Sequence, residues 1–151
     1  MAKDFPDIEF DDRIVDNMCM QLVQRPEEYD VLVMPNLYGD ILSDLTAGLI
    51  GGMGMAPSAD IGDKHAVFQP CHGTAPDIMG QGKANPAAMF LSAALMLDWL
   101  ADKHDHPPAR EAAARIDRAM DKAFASGIKP FDLGGKDGTA AVAKAVIGAL
   151  D

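Results

Sequence analysis

An α/β fold is the class this sequence predicts. Stretches with helical periodicity alternate loosely with short apolar runs bounded by turn residues. Glycine- and proline-rich loops separate them, without repeats or low-complexity tracts. The 151 residues are 48% hydrophobic and 24% charged, the composition of about one globular domain. Only two or three strands are visible, few for a self-sufficient sheet, which hints that part of the fold lies elsewhere.

The elements follow in chain order. Ile8 to Asp11 alternates and reads as a short strand. From Arg13 to Gln24, Ile14, Met18 and Leu22 form one helical stripe, and Pro26 ends it. Tyr29 to Met34 is largely apolar and reads as a buried strand. After a turn at Pro35–Gly39, Asp40 reads as the N-cap of a helix over residues 41–50, ended by Gly51-Gly52. Residues 51–63, with four glycines, read as a loop, and Ala66 to Gln69 as a strand. A second loop runs from Pro70 to Asn85. Asn85-Pro86 then supplies a cap and an N-terminal proline for a helix reaching about Ala101. Another helix spans residues 108–126, with Ala112, Ile116, Met120 and Phe124 spaced strictly four apart. A loop over residues 131–138 leads to Thr139 as N-cap of a last helix, residues 140–150.

The charge balance narrows the partners. Twenty-three acidic residues against 13 basic ones give a formal net charge of −10. That argues against nucleic-acid backbones and anionic membranes, both of which select basic surfaces. The apolar stretches at residues 45–55 and 87–100 are too short and too rich in Gly or Ala to span a bilayer. Two cysteines, Cys19 and Cys71, make no disulfide framework, and no charged-then-apolar leader is visible, so a cytoplasmic setting is the expectation. Ten methionines suit an ordinary core or an adaptable interface.

Three places carry candidate chemistry. Asp40 and Asp44 stand four apart and project from one helix face, with Asp16 on the preceding helix. Oxygen donors of this kind suit Mg²⁺ or Mn²⁺; capping and helix-dipole roles would explain the first two equally. The segment His72 to Pro86 is glycine-rich, so a ligand can approach its backbone. In it Asp77 could accept bonds from a ribose and Asn85 could read an adenine edge. The alternative is a long connection satisfying its own backbone. Asp132-Leu133-Gly134-Gly135, before Thr139, is either ligand-lining or a turn. Elsewhere, His104-Asp105-His106 reads as a solvated loop, Cys19 as packing, and Cys71 beside His72 as lacking thiolate–imidazole geometry.

Taken together these motifs resemble a family. Asn36-Leu37-Tyr38-Gly39-Asp40-Ile41-Leu42-Ser43-Asp44, with Ile14-Val15-Asp16-Asn17-Met18 before it, resembles the metal-site segments of the isocitrate/isopropylmalate dehydrogenases. His72-Gly73-Thr74-Ala75-Pro76-Asp77-Ile78 with Ala84-Asn85-Pro86 is similar to that family's nucleotide loop, and Asp132-Leu133-Gly134-Gly135 to its last cofactor segment. The motifs stand in the family's order and cover essentially the whole chain. Met34 to Gly39 looks more like the NAD-dependent isocitrate branch. Gln69 departs from the usual Glu before the loop's proline, removing a negative charge, and Cys71 replaces an aliphatic residue.

The resemblance implies the C-terminal portion of that fold, which is not the common Rossmann type. Residues 1–52 would end the dimerisation and metal-site domain, and 53–151 would be part of the cofactor domain. It implies metal-dependent oxidative decarboxylation of a 2-hydroxy acid of the isocitrate or 3-isopropylmalate type, with NAD and Mg²⁺ or Mn²⁺. Asp40 and Asp44 would bind the metal with Asp16 of a second subunit. His72, Gly73, Thr74, Ala75, Pro76, Asp77, Ile78, Asn85 and Asp132 would contact the cofactor. No segment matches the family's N-terminal portion, with its carboxylate-gripping arginines and its tyrosine and lysine, so no catalytic residue is assigned. The expected partners are the small 2-hydroxy acid and either a second copy or a separate N-terminal portion. A non-catalytic nucleotide-binding or assembly module derived from such an enzyme is the other reading.

Overall fold

A computed structural model describes residues 2–150 and divides them into two compact units, one ending at Leu49 and one beginning at Ile50. The class is the expected mixture of helix and sheet, arranged as part of a larger fold.

The first unit is built on two helices, α1 (Val15–Gln24) and α2 (Asn36–Leu49). Met18 and Leu22 of α1 and Leu42 of α2 form its small core, joined by Val15, Cys19, Tyr29, Leu32, Met34 and Leu45. Asp40 is therefore not a cap: α2 starts four residues earlier and Asp40 lies inside it. The turn expected at Pro35–Gly39 is the helix's first turn, with Tyr38 and Gly39 N–H groups donating to Pro35 O.

Two expected strands are not strands. Residues 8–11 are irregular, and so are residues 29–34. The second segment keeps a strand's alternation: Leu32 and Met34 pack inward, while Val31 and Val33 are 78% and 93% exposed. Its backbone finds no ladder partner among the described residues, and apolar alternation without a neighbouring strand cannot make a sheet.

The second unit layers a β-hairpin on a helical hairpin. β1 (Pro57–Ile61) pairs antiparallel with β2 (Ala66–Pro70), in register from Pro57↔Pro70 to Ile61↔Ala66. β1 lies in a segment expected to be loop. Its sequence, Pro57-Ser58-Ala59-Asp60-Ile61, carries a proline at its first position, which an edge strand tolerates. The hairpin rests on α3 (Ala87–His104): Phe68 meets Trp99 with ring centroids 6.0 Å apart, and buried Ser92 donates to Gln69 O at 2.8 Å. α4 (Pro107–Ala125) covers α3 from the other side, which is why α3 is apolar on more than one face. α5 (Thr139–Gly148) packs on α4 through Val146.

Small residues let α3 and α4 approach closely: Ala87, Ala94, Ala101, Ala113, Ala119 and Ala123 are buried. The buried line on α4 runs through Ala109, Ala113, Met120 and Ala123, with Ile116 partly buried. The strict four-residue stripe is corrected to alternate steps of four and three, because four residues overshoot one helical turn by about 40°. Outside that seam Arg110 pairs with Asp98 at 3.2 Å and with Asp102. Asp117 on α4 has its carboxyl pushed above the ordinary range, first by partial withdrawal from water and then by Asp98 and Asp121.

That shift has a defined sign. A carboxyl whose folded-state affinity for protons is raised costs stability above its folded pKa, and the cost fades as pH falls through it. Asp117→Asn should therefore raise Tm at pH 7, modestly because the side chain is still solvated. The two proteins should converge below about pH 3.5, near the ordinary carboxylate range. Thermal melts at both pH values check this; an unchanged or lower Tm for the variant at pH 7 would contradict it.

Candidate functional site

Among the sequence-singled residues, the structure draws Asn85 and Asp132 together most closely. Asn85 is buried, just before α3. Its Oδ1 accepts the Ala87 N–H at 3.0 Å, satisfying the first donor of α3 from one residue ahead of the helix's N-cap, which is Pro86 and not the expected Asn85. Its Nδ2 donates to Asp132 Oδ2 at 3.1 Å and lies 3.3 Å from Met55 Sδ. Asp132 sits in a single 3-10 turn, Phe131–Leu133, and is exposed overall. Met55 ends another such turn, Met53–Met55. Three segments distant in sequence thus meet at one amide.

The loop between β2 and α3 leads into this junction. His72 is half-buried, and its Nδ1 lies 2.9 Å from Gly73 O. A carbonyl only accepts, so Nδ1 is the donor in this contact. Ala75 adopts φ 43°, in the left-handed region that an alanine occupies at a cost. Such strain persists where surrounding contacts impose it, and it concentrates at binding loops. Pro76–Ile78 forms a 3-10 turn, with the Ile78 N–H donating to Ala75 O at 3.1 Å. Gln81 Nε2 donates to Asp77 O at 2.7 Å, while the exposed Asp77 carboxylate makes no hydrogen bond or ion pair among the described residues.

The far end of the loop is tied to α5. Thr139 is the first residue of that helix and not its cap. Its N–H donates to Gly82 O at 2.8 Å and its hydroxyl to Ala84 O. A Cβ at Gly138 would lie 2.5 Å from Gly82 O, so the glycine permits the approach. Lys83 stands with its ammonium 5.7 Å from the Phe131 ring centroid, bringing a positive charge beside the Asp132 turn.

The carboxylate set lies in the first unit. Asp40 and Asp44 stand one turn apart on α2, both exposed. Asn36 Nδ2 donates to Asp40 Oδ2 at 3.2 Å; Asp44 has no bonding partner among the described residues. Each stands two residues from buried Leu42, and Asp16 stands two residues from buried Met18. Two residues turn a helix by about 200°, so these carboxylates point away from the contact between α1 and α2. Asp16 and the Asp40–Asp44 pair accordingly do not converge, and no three metal-ligating side chains cluster among the described residues.

His104, Asp105 and His106 form the connection from α3 to α4. Asp105, at φ 47°, ends α3 in a left-handed C-cap, which accounts for the segment without a ligand. Reading the sequence missed Gly54 and Met55, which the structure places at the Asn85 junction; four glycines within residues 51–63 were the available signal.

A chain with this loop, this buried asparagine and these paired aspartates has close counterparts. The chain belongs to the isocitrate/isopropylmalate dehydrogenase family, whose family model matches residues 1–147. It is 55% identical over 150 residues to the isocitrate/homoisocitrate dehydrogenase of Thermus thermophilus, covering 99% of this chain and 43% of that protein. It is 54% identical over 132 residues to the probable isocitrate dehydrogenase (NAD) subunit alpha, mitochondrial, of Caenorhabditis elegans, covering 87% of this chain and 35% of that one. The crystal structure of isocitrate dehydrogenase from Methylococcus capsulatus superposes with a TM-score of 0.90 at 47% identity, over 99% of this chain and 43% of that chain. The chain spans less than half the length of these relatives. No helix among the described residues is long and apolar enough to cross a membrane.

Proposed function

We propose that this chain supplies the dinucleotide loop and part of the metal site for the NAD-dependent, metal-dependent oxidative decarboxylation of a 2-hydroxy acid. The substrate class is isocitrate or 3-isopropylmalate, with isocitrate favoured by the Met34–Gly39 segment and by the names of the relatives above. The chain would act as part of a larger or split enzyme in the cytoplasm, as a homodimer or with a separate N-terminal portion. Residues 1–52 would belong to the dimerisation and metal-site domain and 53–151 to the cofactor domain.

The observation that carries this reading is the Asn85 junction: a buried amide holding Asp132 beside the end of a strained, glycine-rich loop. His72, Gly73, Thr74, Ala75, Pro76, Asp77 and Ile78 would line the dinucleotide. Asp77, exposed and without a partner among the described residues, would accept the hydroxyls of a ribose. Asn85 would keep its bonds to Ala87 and Asp132 and exchange the weak sulfur contact for a ring nitrogen. The donor set on α2 fits a hard cation: two exposed carboxylates one turn apart, with Asp44 uncommitted among the described residues. Asp16 points away from them within one chain, which suits its reaching the metal site of a second chain. When bound, the dinucleotide takes the hydride and the cation neutralises charge on the hydroxy acid's oxygens.

The other reading, a module without catalysis of its own, draws on the arginines. Arg13 pairs with Asp11, Arg25 with Glu28, Arg110 with Asp98 and Asp102, and Arg118 with Glu111, while Arg115 donates to Leu150 O. None of the five stands open to grip a substrate carboxylate. Tyr29 donates to Gln21 Oε1 and is committed to the first unit's core.

Calorimetric titration of both dinucleotides tests the proposal: NAD should bind more tightly than NADP, because the Asp77 carboxylate would repel a 2′-phosphate. Equal or tighter NADP binding would overturn it. Mn²⁺ affinity should rise with protein concentration and fall in Asp16→Asn; tight binding by a demonstrated monomer, indifferent to Asp16, would refute the shared site. The chain alone should show no dehydrogenase turnover with NAD, Mn²⁺ and isocitrate, isopropylmalate, malate or tartrate, since orientation effects worth about 10⁵ M or more are absent. Ordinary turnover abolished by Asp40→Asn would contradict that.

A further inference from the structure

We infer that Gly54 is a positioning residue of the dinucleotide site, acting by the space it leaves for Asp132 to reach Asn85. The inference rests on the reading of Asn85 and Asp132 as cofactor-side residues. Gly54 is the middle residue of the Met53–Met55 turn, and its φ lies outside the left-handed region. Its backbone could therefore carry a side chain without strain. Space is what forbids one: a Cβ there would stand 3.1 Å from Asn85 Cβ, 3.3 Å from Asp132 Cγ, and inside the contact distance of Asp132 Oδ2. That oxygen is the acceptor for Asn85 Nδ2.

An alanine at 54 is thus incompatible with the Asn85–Asp132 bond as the structure holds it, through Asp132 Oδ2. The group that gives way is decided by anchoring. Asn85 is buried, and its Oδ1 is held by the Ala87 N–H. Asp132 is exposed, and a carboxylate has only short torsions to turn. The carboxylate swings away, the Asn85–Ala87 bond at the start of α3 survives, and the fold is kept. The cost falls on the position of Asp132, which the proposed site uses to hold the nucleoside end of NAD.

The test uses the whole chain with NAD as the probe, in the wild type, Gly54→Ala, Asp132→Ala and the double variant. Calorimetry should show NAD binding weakened roughly tenfold in Gly54→Ala, the loss expected for one polar contact. Asp132→Ala should lose as much, and the double variant no more than either, because both remove the same interaction. The Asn85 side-chain amide resonances in Gly54→Ala should move to their positions in Asp132→Ala, with cooperative unfolding retained. Unchanged NAD affinity with unmoved Asn85 resonances in Gly54→Ala would overturn the role. So would additive losses, which would mean that Gly54 and Asp132 act separately. A wild-type chain that binds no NAD would overturn the dinucleotide reading itself, a result separable from both.

Discussion

Asn85 places its amide where a polar group is expensive to bury, and it does so with both ends bonded. An unsatisfied amide there would cost about 1–3 kcal/mol. Satisfying it requires the start of α3, the Asp132 turn and the Met53–Met55 turn to arrive at one point. These segments are 30 and 47 residues from Asn85. The loop from His72 to Ala84 inherits its end point from this arrangement, because it must finish at Asn85. Thr139 fixes the same loop from α5 through Gly82 and Ala84. The strained backbone at Ala75 then lies in a span fastened at its end, a setting that can hold an unfavourable dihedral.

The first unit works by a different constraint. Its core is a thin contact between α1 and α2 through Met18, Leu22 and Leu42. Helical geometry turns Asp16, Asp40 and Asp44 outward from that contact, since each stands two residues from a buried partner. The packing that stabilises the unit is therefore the same feature that keeps its three aspartates from meeting in one chain. Carboxylates left in water keep their charge cheaply, whereas a converging triad would repel itself unless a cation joined it.

Much of this organisation was legible in the sequence, and the failures have physical reasons. The long helices announced themselves by period and by Asn85-Pro86, although the cap falls on Pro86 and Asn85, one residue earlier, accepts the Ala87 N–H. Helix starts were harder: α2 begins at Asn36, because Pro35 O accepts the first turn's N–H groups and frees Asp40 from capping. Strands depend on partners that local pattern cannot see. Residues 29–34 have a strand's apolar run but no partner strand among the described residues, while Pro57–Ile61 has a weak pattern and a good partner in Ala66–Pro70. Candidate site residues were visible as motifs in family order. The Asn85–Asp132 bond and the crowding at Gly54 were not, because they join positions that no periodicity relates.

If the junction at Asn85 organises a dinucleotide site, amide chemical-shift mapping of the wild-type chain with NAD should show it most directly. The account predicts that perturbed resonances gather at residues 72–78, at Asn85 and at 131–133, with the α3–α4 connection silent. Perturbations centred on the α3–α4 connection or on residues 15–24, or none at saturating NAD, would contradict it.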